Sequence, residues 1–449
     1  MIISEIKYDQ VIERLRFDAE HYQPDFLENE KILKRVKCVH LKDVAIFSIL
    51  RRNPENDPDK DFEYIDISNV NTFTGEITTQ RLKGYQAPSR ARKVVRENDI
   101  ILSTVRPNRN AVAIIPKELD NKICSTGFSV IKTKKINPWF LFAFLKTKYA
   151  INQLVRLTMA SMYPAVSEED ISTLLIPCMP DAFQEKIAAM IMKAFKEKRE
   201  AITQLVDVEH ALLRNLRLPK PSLEFKNNYE IKFDELEDRI DSEFYQPKFI
   251  QIIHSLKSNK YFNTVTINDI YEEIKYGTSE DLDYVESGIP FLRLSELNEF
   301  FSFDLDNLKY IRQIDAIRLK PYMVEENNIL ISRTGTVGCA VHIDSKLSGS
   351  IFGSYFIKVK IKRGFNSLYI SIFLNSTYGK LQADRQRTGA VQTNLTIPAI
   401  LSLKIAIPSE TFQKELCENY LTLLKKRNKA RTVFLTAIQE VEDFIEKGS

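Results

Sequence analysis

The sequence has 449 residues, 44% hydrophobic and 28% charged, the profile of a soluble globular chain too long for one ordinary core. With 64 basic against 60 acidic residues the formal charge is +4, a balance that permits a nucleic-acid partner without requiring one. No apolar run reaches the length of a membrane span, MIISEIKYDQ lacks the layout of a signal peptide, the five cysteines stand singly without CxxC spacing, and 13 glycines argue against a glycine-rich nucleotide fold, so reduced thiols in the cytoplasm are expected.

The first feature in chain order is a phrase that returns. RFDAEHYQPDF (16–26) reappears as RIDSEFYQPKF (239–249), preceded by EIKYD (5–9) in one copy and EIKFD (230–234) in the other. A short period would mean a solenoid; one this long means duplicated domains. YIDISNV (64–70) and FLRLSEL (291–297) alternate like half-buried strands. A basic turn follows, PSRARKVVR (88–96). ENDIILSTVRPNRNAVAIIP (97–116) and ENNILISRTGTVGCAVHI (326–343) each read as strand, polar turn and strand. GFSVIKTK (127–134) and GSYFIKVK (353–360) read as further strands. NPWFLFAFLKTKYA (137–150), matched by NSLYISIFLNSTYG (366–379), opens a helix with Asn137 as N-cap and Pro138 at the first helical position. VSEEDISTLLIP (166–177) and LTIPAILSLKIAIP (395–408) give a turn, a short helix and a strand. AFQEKI (182–187) and TFQKEL (411–416) each open a long helix.

The long helices carry alternating 4-3 apolar spacing. In the first it runs through Ile187, Ile191, Ala194, Ala201, Leu205, Val208 and Leu212, with a gap at Lys198. In the second it runs through Leu416, Tyr420, Leu423, Ala430, Phe434, Ala437, Val441 and Phe444, with a gap at Arg427. Such spacing predicts a coiled-coil seam between the two helices; the alternative is that each helix packs separately on its own domain. A cation at a seam position either fixes register or snorkels to solvent. RLPKPSLEFKNN (217–228) stops the first helix with two prolines and serves as a linker, so the helices can run antiparallel. The expected fold is α/β (α+β): two mixed globules joined by two long antiparallel helices, a dumbbell with an internal pseudo-twofold repeat. Its divisions are a framework segment 1–36, a globule 37–180, a helix 181–218, a linker with repeated framework 219–260, a second globule 261–408 and a second helix 409–449.

Catalytic signatures are weak. NPWF (137–140) lacks the second proline of an amino-methyltransferase motif, no FxGxG-type cofactor loop accompanies it, and it reads as a helix cap. PDKDFEY (58–64) and LEFK (223–226) lie in different segments, although a metal nuclease needs converging carboxylates. His21, His40, His210, His254 and His342 are isolated, and SRTGTVG (332–338) lacks the lysine of a phosphate loop. No cofactor and no metal are expected. DNA contact is better supported. Arg90, Arg92, Lys93, Arg106 and Arg109 lie in or near turns of the first half; Arg333, Lys380, Arg385, Arg387, Gln392 and Asn394 do so in the second. Arginine suits guanine edges, and glutamine or asparagine suits adenine; other cations grip phosphates. The plain alternative is a solvated basic face.

The half-and-half duplication, the ENDIILS and ENNILIS strands, and TGAVQTNLTIPAILSLKIAIPSETFQKEL (388–416) resemble the specificity subunit of type I restriction-modification systems. The first copy departs at MASMYPAVSEEDI (159–171), which lacks the Gly and Gln of the second. The resemblance implies a non-catalytic reader of double-stranded DNA, with each globule a target recognition domain for one half of a bipartite site. It implies helices that set the spacer and dock two methyltransferase subunits, a complex that restriction subunits can join, and no membrane. Alternatives are a specificity subunit of a related system (type IIB- or IIG-like), a catalytic DNA methyltransferase or nuclease, and a coiled-coil scaffold. The repeated phrases read as framework, with Tyr22, Pro24, Tyr245 and Pro247 packing, or as matched docking patches for two identical partners.

Overall fold

The structure is a computed structural model that describes residues 5–6, 8, 11–12, 17–158, 164–237, 239–387 and 394–447. The chain divides into two compact units, Met1–Lys198 with Asn428–Ser449, and Arg199–Arg427. Each unit thus contains one globule together with part of both long helices, Asp181–Asn215 and Glu410–Lys447.

In the first unit a four-stranded antiparallel sheet runs in the order Ala45–Phe47, Phe128–Thr133, Ile100–Ser103, Val112–Ile114. A second sheet orders Gln80–Lys83, Asp61–Ile65, Ile123–Ser125 and Ala91–Val94, with a parallel pairing between its middle strands. In the second unit the matching sheets order Tyr271–Tyr276, Phe356–Ile361, Asn328–Ser332, Ala340–His342 and, separately, Lys309–Ile311, Ile289–Leu292, Ile351–Phe352. The central strand of each larger sheet is buried on both faces, which is why it reads as a continuous apolar run. The alternation predicts strands through residue 70 and residue 297, yet they stop at Ile65 and Leu292. Side-chain caps turn the chain there: the Asp66 N–H donates to Asn69 Oδ1 at 3.0 Å and the Arg293 N–H to Glu296 Oε2 at 3.1 Å.

Helix Pro138–Leu145 starts where Asn137 Oδ1 accepts the Trp139 and Phe140 N–H groups, at 2.9 and 3.3 Å. Its residues 140–145 are all buried, so it is a core helix. The Asn137 oxygen that a methyltransferase motif would need is committed to that cap.

The long helices pair, and they also pack on the globules. In the first unit the Phe183 and Phe444 rings lie 4.8 Å apart, Phe195 and Phe434 lie 6.0 Å apart, and Lys186 pairs with Glu440 at 2.6 Å, an antiparallel arrangement. In the second unit Lys426 pairs with Glu200 at 2.8 Å. Ile187, Ile191, Phe434 and Val441 share one core with the helix 138–145 of the first globule. Leu212 and Leu416 share another with the second globule, with Leu205 and Leu423 half-buried against it. The seam is therefore part of each globule's core rather than a free-standing coiled coil, because flanking residues such as Phe183, Met190, Phe195 and Ile438 widen the apolar stripe beyond a strict seam. Neither gap cation snorkels to solvent; each is buried against a carboxylate of its own unit. Lys198 is buried and paired with Glu76 of its own unit. Arg427, 2% exposed, pairs with Asp304 and, at 3.1 Å, with Glu299.

Candidate nucleic-acid interface

Strand Ile100–Ser103 ends in a turn that is tied down on every side. The Thr104 N–H donates to the Gly127 carbonyl at 2.9 Å, the Val166 N–H to Thr104 O at 2.9 Å and the Arg106 N–H to Pro164 O at 2.8 Å. The short turn Pro107–Arg109 is bracketed by Arg106 (φ 50°, ψ 59°) and Asn110 (φ 51°, ψ 47°), both left-handed. Asn110 Nδ2 donates to Leu145 O at 3.1 Å, while Lys146 Nζ donates to Asn110 O at 3.1 Å and Thr72 O at 3.0 Å. Burial pushes the Lys146 amine down to about 7. Arg106 is half-buried on this turn and Arg109 exposed.

The second unit repeats the plan. Strand Asn328–Ser332 leads into a turn in which the Gly338 N–H donates to Ser332 O at 2.8 Å and the Leu395 N–H to Arg333 O at 3.0 Å. Arg333 is half-buried, its guanidinium 5.0 Å from the Tyr276 ring centroid, and its N–H donates to the carbonyl of exposed Tyr355. Lys380 is exposed, its amine over the Phe301 ring at 4.6 Å. Asn394 is half-buried beside the Leu395 clasp. Gln392 lies outside the described residues.

Two cations expected at DNA are buried in ion pairs. Lys93 is 8% exposed; its amine donates to Phe128 O at 2.7 Å and pairs with Glu168 at 2.7 Å. In strand Ala91–Val94 both Ala91 and Lys93 are buried, and the pairing with Ile123–Ser125 shifts register between them. Arg385 is 5% exposed: it donates to Phe244 O at 3.2 Å, pairs with Glu237 at 3.1 Å and lies 3.7 Å from the Phe244 ring centroid. Arg92 is partly committed, donating to Ala91 O at 2.9 Å and pairing with Glu55 at 3.3 Å. Arg387 pairs with Asp384, and its carbonyl accepts from Arg239 at 3.4 Å. Arg90 remains exposed.

Arg156 escapes the sequence reading, although the repeat places it opposite Arg385. Its Nε donates to His21 O at 3.0 Å and its guanidinium pairs with Glu30 at 2.8 Å. Each arginine thus grips the carbonyl just before the Tyr-Gln-Pro of a repeated phrase. Tyr22 and Tyr245 are buried, and Pro24 and Pro247 open the helices Pro24–Leu33 and Pro247–Ser258. Both phrases thus pack into their own units. Among the described residues, no three His, Cys, Asp or Glu side chains are placed to hold a metal ion, and no helix is long and apolar enough to cross a membrane.

Residues 34–208 match the family described as the type I restriction modification DNA specificity domain. Over 124 residues the chain is 27% identical to the HindI specificity subunit, a type I restriction enzyme component of Haemophilus influenzae; the match covers 26% of this chain and 26% of that relative. Among solved structures, the HsdS subunit from Thermoanaerobacter tengcongensis aligns over 92% of this chain and 97% of its own at 20% identity and a TM-score of 0.35. The S subunit of a type I restriction-modification system from M. genitalium aligns over 92% and 95% at 13% identity and a TM-score of 0.40.

Proposed function

We propose, from the relationship of this chain to the specificity subunits of type I restriction-modification systems, that it is the DNA-reading subunit of such a complex and does no chemistry itself. One observation carries the reading: the matched specificity domain lies in a half whose sheets and clasped turn recur in the other half. Two copies of one reading module suit a bipartite double-stranded target, one half for each. The duplicated helices suit the remaining tasks, setting the spacer and presenting a repeated surface to two methyltransferase subunits. Restriction subunits can join the same complex, in the cytoplasm. The residues proposed to meet DNA are Arg90, Arg106 and Arg109 in the first unit and Arg333, Lys380 and Asn394 in the second, with Gln392 proposed on its residue type alone. Arg106, Arg109 and Arg333 are exposed or half-buried cations on turns after strands, and Lys380 is an exposed cation on helix Thr377–Gln386.

The test exchanges residues 37–180 for the equivalent segment of a relative with a different target and maps methylated sites in cells carrying the whole system. One half of the target should change and the other persist. A change in both halves would show that the globules are not independent readers.

A further inference from the structure

We infer that Arg106 is the specificity-determining residue of the first unit's turn and that it reads a guanine in that unit's half-site. The inference rests on the proposed function and deepens it. Its source is a comparison the molecule makes with itself. Ser103 and Ser332 end equivalent strands, and the next residue's carbonyl is clasped in the same way, by the Val166 N–H in one unit and the Leu395 N–H in the other. Three residues beyond each serine the backbone enters the left-handed region: φ is 50° at Arg106 and 68° at Gly335. Glycine adopts this conformation freely, whereas a side chain brings its Cβ against the following carbonyl.

The second unit therefore uses the residue the backbone favours, and the first places an arginine there. Most other non-glycine residues in this region among those described are asparagines, Asn98, Asn110, Asn121 and Asn327, the type that tolerates it best. In the second unit an arginine stands instead at Arg333, where the first unit has Thr104. Equivalent turns thus carry their arginine at different places, as two readers of different half-sites require.

The choice of base over phosphate follows from rigidity. A flexible cation on any exposed surface can grip a phosphate; a guanidinium that meets guanine O6 and N7 together must be aimed. The Arg106 backbone is aimed: its N–H is bound to Pro164 O, and the turn beyond it is held through Asn110 and Lys146. Exposed Arg109 nearby suits the phosphate role.

The test replaces Arg106 with the residue its counterpart already uses. Full-length wild type, Arg106→Gly and Arg106→Lys each select from a pool of randomised DNA duplexes at several salt concentrations, with thermal melting in parallel. Arg106→Gly should melt no lower than wild type. It should lose preference at one G·C pair of one half-site by roughly 10- to 100-fold and keep the other half-site. Arg106→Lys keeps the charge without the fork and should lose the same preference with a smaller loss of affinity. Unchanged preference in Arg106→Gly would overturn the inference. So would uniform weakening across sequences with the salt dependence reduced by about one ion, the mark of a phosphate contact. If wild type itself selects no sequence, the proposed function and this inference fall together.

Discussion

Lys146 sits where a lysine amine has two carbonyls to donate to, those of Thr72 and Asn110, as many as a neutral amine has hydrogens. Burial lowers its pKa from 10.5 to about 7. Between those values the unfolded chain holds a proton that the folded chain has released, so stability rises as pH climbs from about 7 toward 10.5 and is lost again as pH falls. This one group can contribute at most about 1.4 kcal/mol per pH unit. Urea midpoints measured from pH 6.5 to 9.5 should climb more steeply for wild type than for Lys146→Met; equal slopes would show that the amine stays charged. A second residue pair separates framework from recognition. Arg156→Ala should lower stability by about 2–3 kcal/mol by stranding a carbonyl and a carboxylate, Arg385→Ala by less because Glu237 is half exposed, and both should leave base preference intact in duplex selection. The cap at Asn137 is legible in the sequence because a cap is local. The burial of Arg385 is not, because its partners Glu237 and Phe244 lie more than a hundred positions away along the chain.

At the scale of elements, the 4-3 spacing of the long helices was readable, and so was the interruption at Lys198 and Arg427. The reason for the interruption was not, since Glu76, Glu299 and Asp304 belong to loops of the globules. The two cations fasten those loops to a helix. Each pair is buried on the cation's side, so removing one partner leaves a charge without its counterpart. Lys198→Met should destabilise the first unit by about 3 kcal/mol. A double-mutant cycle with Glu76→Gln should return a coupling of at least about 1 kcal/mol. A coupling near zero would return Lys198 to the snorkelling role. The ends of strands Asp61–Ile65 and Ile289–Leu292 were misjudged for a related reason: alternation continues into the turns, and only the side-chain caps at Asp66 and Arg293 stop the strand.

At the scale of the whole molecule, the duplication was the most legible feature, because matched phrases keep their order through both halves. Under the proposed function the helices act as a ruler. One heptad added to both preserves the apolar register and lengthens the pair by roughly 10 Å, or about three base pairs. Binding to duplexes that differ only in spacer should then shift to a longer spacer and weaken, because three base pairs also rotate the second half-site by roughly 100°. A variant that folds and keeps the original spacer at full affinity would rule the ruler out. The division of the units has a consequence of another kind. The first unit closes its core with Phe434, Ala437, Val441 and Ile445, residues that follow the whole second unit in the chain, whereas the second is built from the continuous stretch Arg199–Arg427. On the ribosome the usual order of domain folding, first-made first-folded, is therefore reversed. The second unit can finish its core first, while the first waits for the remainder of helix Glu410–Lys447 to emerge. A premature stop just after Arg427 would do its damage at the opposite end of the message, in the half whose own codons were read without error.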